Sequence, residues 1–123
     1  MNDYVVVSLS DLLTPWEVIE KRVECAARGD FVIVLYNPRS KKRVSQLEMV
    51  KNILLRWRKP DTPVGIARKI GDQQEETSIT TLENMLDHHI DMETTLIVGN
   101  SKTVIFGGYM VTPRGYARKF ERK

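Results

Sequence analysis

The chain has 123 residues, 41% of them hydrophobic and 28% charged, with a formal net charge of +3. That composition excludes a disordered chain, suits one folded domain with a modest core, and is basic enough for a small anionic partner but weakly so for nucleic acid. A single cysteine, Cys25, excludes an internal disulfide, and no apolar run approaches the ~18–20 residues that span a bilayer.

The opening "MNDYVVVSLS" lacks the basic flank and cleavage pattern of a signal peptide, so a cytoplasmic protein without a membrane partner is expected. Within it, "YVVV" predicts a short first strand. "LTPWE" then opens a helix, with Thr14 as N-cap, Pro15 at the first helical position and Glu17 completing a capping box. Trp16, Ile19, Val23 and Ala26 recur at helical spacing, and Gly29 is a fitting stop. Cys25 falls on this helix as a small buried or half-buried residue. "FVIVLY", residues 31–36, is a continuous run of β-formers whose two faces both read as buried, as in a parallel sheet covered by helices.

A basic run follows, and then Leu47, Val50, Leu54 and Trp57 mark a second helix that Lys59-Pro60 ends. "TPVGIAR" is the next strand, and the strand–helix–strand order predicts a right-handed crossover. Gly71-Asp72 reads as a turn and "ETSITT" as a strand antiparallel to its predecessor. Thr80 and Glu83 suggest a capping box opening a short helix through about His88. "TTLIVG" is a further buried strand, and "VIF" and "YMV" around Gly107-Gly108 predict a hairpin or bent extension. The expected architecture is α/β, a mixed, mostly parallel sheet flanked by helices, in a single domain over 1–123.

Strand ends carry the chemistry in such sheets, because ligands bind beyond the carboxyl ends of the strands. Here those ends read Tyr36-Asn37-Pro38-Arg39, Ala67-Arg68-Lys69 and Gly99-Asn100-Ser101. Gly65, inside a strand, marks either close backbone approach or a bulge. No Gly-rich phosphate loop is present, His88-His89 lacks a third metal ligand, Asp87 and Asp91 read as loop solvation, and no nucleophile–base pattern stands out. The chain offers binding groups without an evident acid, base or nucleophile. Methyl transfer from S-adenosylmethionine fits that absence, since a neutral thioether leaves readily and alignment alone can supply roughly 7–11 kcal/mol.

"SLSDLLTPWEVIEKR", "LYNPRSKKR", "TPVGIAR", "TTLIVGNS" and "MVTPRGY" together resemble the carboxyl-terminal half of the tetrapyrrole methylases, most closely their precorrin-3B C(17)-methyltransferase group. The resemblance runs from about Tyr4 to Tyr116. It implies a two-domain enzyme of cobalamin biosynthesis that methylates precorrin-3B at carbon 17 to give precorrin-4, or a cobalt-containing counterpart. The amino-terminal half with the donor loop is absent here, so the chain is expected to be inactive alone. Met1 would then mark an artificial boundary, a truncated frame or one piece of a split enzyme. By position, the resemblance implies donor contacts from Tyr36, Asn37, Gly65, Ile66, Ala67, Thr94, Thr95 and Leu96, with S-adenosylmethionine as the methyl donor.

Arg39, Lys41, Lys42 and Arg43 would meet the carboxylates of the tetrapyrrole substrate, and equally suit a solvated helix start. The implied partners are the missing amino-terminal domain and a second copy in a homodimer. Two readings compete: a non-catalytic anion-binding or dimerisation module, and a small RNA-binding domain. The second lacks aromatics near its cations.

Overall fold

A computed structural model describes residues 3–11, 13–36, 44–68 and 76–113. In chain order they form β1 (Tyr4–Ser8), α1 (Trp16–Arg28), β2 (Val32–Tyr36), α2 (Val44–Leu55), β3 (Pro63–Arg68), β4 (Glu76–Thr81), a 3-10 turn (Met85–Asp87), β5 (Thr94–Val98), β6 (Val104–Phe106) and β7 (Tyr109–Val111). Among the described residues no helix is long and apolar enough to cross a membrane.

The five-stranded sheet has the order β1-β2-β5-β3-β4, and β6 and β7 form a separate hairpin. The mixed sheet with packed helices is as expected, but its predominant direction is not. Only β1 and β2 pair in parallel; β2–β5, β5–β3 and β3–β4 are antiparallel. The reason is that β5 inserts between β2 and β3, so the expected crossover joins two like-directed strands across an intervening one. Local strand signals carry no information on such insertion.

Register then decides which residues meet. Ile33 and Leu35 stand beside Val98 and Leu96, which stand beside Val64 and Ile66. All six are buried and join Ile19, Val23, Leu47, Val50 and Leu54 of the two helices in one core. Among the described residues no helix covers the opposite face. Residues 31–36 therefore alternate, with Val32 and Val34 half-buried and Tyr36 41% exposed, in place of the double burial their uninterrupted apolar run suggested.

Helix ends depart from expectation in the same local way. α1 starts one residue later, with Pro15 at the cap and no side-chain cap, so the Thr14–Glu17 box does not form. The Pro15 carbonyl accepts from the amides of Val18 and Ile19 instead. Thr80 is a strand residue, and the expected short helix shrinks to the 3-10 turn. Cys25 is exposed, on the wet side of α1. Trp57 lies beyond α2 and is 48% exposed, with the Arg28 guanidinium 5.4 Å from its ring centre. The predicted turn at Gly71-Asp72 falls outside the described residues.

Candidate functional site

Two rows of residues cross the open face. One runs from Tyr36 to Thr95, Ala67 and Thr77, the other from Val34 to Ile97, Gly65 and Ile79. The carboxyl ends of β2 and β3 are thereby brought together with the amino end of β5 between them. Four of the residues assigned to the donor, Tyr36, Thr95, Ala67 and Gly65, share this surface although three separate strands supply them.

The alternate residues of the same runs point the other way. Ile66 is 4%, Thr94 1% and Leu96 0% exposed, all on the core side. The Thr94 hydroxyl accepts from the Asp91 amide at 3.0 Å and donates to the Asp91 carboxylate at 3.2 Å. A ligand on the open face could reach these three residues only through backbone atoms. Asn37, Arg39, Lys41, Lys42 and Arg43 lie outside the described residues.

Over Gly65 the hairpin β6–β7 closes a groove of about 600 Å³, whose walls include Ala67, Thr77, Ile97, Ile105 and Met110. A Cβ on Gly65 would stand 3.2 Å from the Met110 sulfur and 3.8 Å from Ile97 Cβ. The glycine is therefore the low point of the groove, with no bulge: β3 pairs without interruption on both sides. Sequence reasoning missed the hairpin wall. The only signal was the apolar "VIFGGYMV", which does not state where the hairpin folds back.

Gly99-Asn100-Ser101 is not part of this site. Because β5 is antiparallel, its carboxyl end lies at the far end of the sheet, where the Gly99 amide donates to the Pro63 carbonyl. A Cβ on Gly99 would fall 2.6 Å from Thr103, and the Asn100 side chain accepts from Lys102 and Thr103 within the same turn. Asp30, in the left-handed region at φ 59°, accepts from the amide and hydroxyl of Ser101. Arg58, 7% exposed, donates to the carbonyls of Gly99 at 2.7 Å, Ala26 at 3.4 Å and Phe31. Burial pushes the Arg58 guanidinium down from its ordinary value while the Asp30 charge opposes that. These polar groups fasten α1, β2 and β5 together. Nothing in "RWRKP" distinguishes Arg58 from the cations beside it.

Arg68 ends β3 beside the groove, yet its charge is already met. It donates to Asp91 at 2.8 Å and to Glu76 at 3.1 Å, and these partners hold its guanidinium above its ordinary value. For Asp91, burial acts to raise the carboxyl. Hydrogen bonds from Arg68, the Glu93 amide and Thr94, with the Arg68 charge, outweigh it and leave the group below the usual carboxylate range. His89 adds a contact at 3.3 Å. Asp91, expected only to solvate a loop, ties the end of β3 to the start of β5. Among the described residues no group of three His, Cys, Asp or Glu could hold a metal ion.

The two-layer domain with its mixed sheet matches solved tetrapyrrole methyltransferases. The crystal structure of the methyltransferase CobJ superposes with TM-score 0.81 at 37% identity, covering 91% of this chain and 47% of that one. Cobalt precorrin-4 methyltransferase CbiF, at 19% identity and TM-score 0.60, shares the fold. Among curated proteins, the chain resembles part of the cobalt-factor III C(17)-methyltransferases over nearly its whole length. It is 51% identical over 120 residues to cobalt-factor III methyltransferase of Priestia megaterium, covering 98% of this chain and 22% of that protein. It is 47% identical to a probable cobalt-factor III C(17)-methyltransferase of Salmonella typhimurium, covering 94% and 48%. The counterpart from Methanocaldococcus jannaschii is 45% identical, covering 98% and 51%. This chain thus spans about half, or less, of the relatives it matches. No family model matches it.

Proposed function

We propose that this chain is the carboxyl-terminal domain of an S-adenosylmethionine-dependent methyltransferase that modifies carbon 17 of a tetrapyrrole in cobalamin biosynthesis. The observation that carries the reading is the convergence of Tyr36, Thr95, Ala67 and Gly65 on one open face beside the groove. The donor fits these residues. Gly65 leaves room for close approach, Ile97 and Met110 offer apolar contact to an adenine or methionine chain, and the Thr95 and Thr77 hydroxyls can meet ribose. When bound, the donor would supply an electrophilic methyl group on a sulfonium whose neutral thioether is a ready leaving group. The domain's part is to hold the donor in line with the acceptor carbon.

The names of the relatives favour a cobalt-containing substrate over the metal-free one. Arg39, Lys41, Lys42 and Arg43 are assigned to the substrate's carboxylates. Among the described residues the groove is walled by the hairpin alone, which supports the expectation that the domain holds the donor weakly until the rest of the relatives' length is supplied. The test combines this chain with the amino-terminal half of the Salmonella relative and follows methyl transfer to cobalt-factor III. Turnover by the pair but not by the chain alone is expected. Robust turnover by the chain alone, or none by the pair although it binds donor, contradicts the reading. In the active pair, Arg39→Ala should weaken tetrapyrrole binding about tenfold or more and flatten its salt dependence, leaving donor affinity unchanged. Equal losses for both ligands would assign the loop to the donor or to the fold.

A further inference from the structure

A second cavity, of about 550 Å³, lies at the far end of the sheet and shares only Ile105 with the groove over Gly65. The loop joining α2 to β3 forms one wall, and the turn before β6 with the first residues of β6 forms the other. Its volume is that of a small-molecule site. Pro63, Val104, Ile105 and the half-exposed Trp57 indole supply the apolar lining.

The polar lining is rich in hydrogen-bond donors that the fold does not use. Thr62 is 7% exposed; its amide and carbonyl are paired with Lys59 and Leu82, but among the described residues its hydroxyl makes no hydrogen bond. Arg58 spends its terminal nitrogens on three carbonyls and leaves a buried Nε–H without an acceptor. The Asn100 side-chain oxygen is taken by Lys102 and Thr103, which leaves its amino group to donate. Among the described residues exposed Lys59 meets no carboxylate, and the lining holds one acidic side chain, Asp61. A buried donor without an acceptor costs free energy, and an anion in the cavity would meet several of these groups at once. It would also join Asp30 in opposing the desolvation of the Arg58 charge.

We infer that this cavity binds a small aromatic anion, its carboxylate or phosphate held by Lys59, Thr62 and Asn100 and its ring set against Trp57, Pro63 and Ile105. A flat apolar body with one acidic group satisfies both kinds of lining. Positive charge selects the sign of the ligand: Arg58 is part of the lining, and the Arg28 guanidinium stands 5.4 Å from the centre of the Trp57 ring. The inference does not depend on the methyltransferase reading.

Amide chemical-shift mapping of the 123-residue chain with phenylacetate and with phenyl phosphate tests it. Phenethylamine keeps a ring and reverses the charge; inorganic phosphate keeps the charge and lacks the ring. Saturable shifts at Trp57, Lys59, Thr62 and Asn100 to Thr103 are expected below ~5 mM for at least one aromatic anion, and the tighter of the two identifies the acidic group. Phenethylamine and inorganic phosphate should each bind at least fivefold more weakly. Lys59→Met, at an exposed position, and Thr62→Val should each weaken the aromatic anion about fivefold or more. Thr62→Val should not lower the melting temperature, because the hydroxyl it removes has no partner in the fold. The inference is overturned if neither aromatic anion gives saturable shifts at these residues, if phenethylamine or inorganic phosphate binds equally well, or if either variant leaves binding unchanged. A Thr62→Val chain that melts several degrees lower overturns it too, since the hydroxyl would then be satisfied within the fold.

Discussion

Single residues divide here into those that hold the domain and those free to meet a ligand. Arg58 belongs to the first kind. Its guanidinium is 7% exposed and serves the carbonyls of Gly99, Ala26 and Phe31. Arg58→Met keeps the volume and strands those acceptors, so a loss of roughly 2–4 kcal/mol in urea unfolding is expected. A change below about 0.5 kcal/mol would show that water replaces the guanidinium without cost. Asp91 also stabilises the fold, and with a pH signature. Its carboxyl is held below the ordinary value, so its contribution is complete above about pH 4 and is lost as pH falls through the lowered value. Asp91→Asn should therefore melt a few degrees below the parent at pH 7, and the gap should narrow below pH 4. A gap that widens on acidification would reverse the sign argued here.

The element that defines the groove is β3, and Gly65 is its test. Valine favours strands, so a purely structural position would tolerate or welcome it. Here its side chain would enter the groove against the Met110 sulfur, a flexible neighbour that can yield. Gly65→Val should leave the melting temperature within a few degrees and weaken donor binding at least tenfold in the two-half assembly. Unchanged affinity with a lowered melting temperature would return Gly65 to a packing role. At this scale the sequence was partly legible. The strands, the two long helices, the antiparallel pairing of β3 with β4 and the hairpin about Gly107-Gly108 followed from apolar patterning and from the paired glycines, which the structure places at φ 59° and 80°. The place of β5 did not, because strand insertion depends on contacts far apart in sequence. That one insertion decides that Thr95 joins Tyr36 and Ala67 while Gly99-Asn100-Ser101 is carried to the other end.

For the whole molecule, the contrast lies between a finished face and an unfinished one. The helix side is a closed core, and the open side combines the groove, the hairpin and a bare apolar surface. The resemblance named short runs, and the three strands that carry them meet at one end of the sheet. Their division into groove-facing and core-facing members needed the register. The measurement that bears most directly on the central claim is an amide chemical-shift map of the 123-residue chain titrated with S-adenosylhomocysteine, which registers weak binding by residue. The account predicts that the largest shifts fall on Tyr36, Gly65, Ala67, Thr95 and the hairpin about Met110. Shifts gathered instead about Gly99, Asn100 and Ser101 at the far end of the sheet would contradict it.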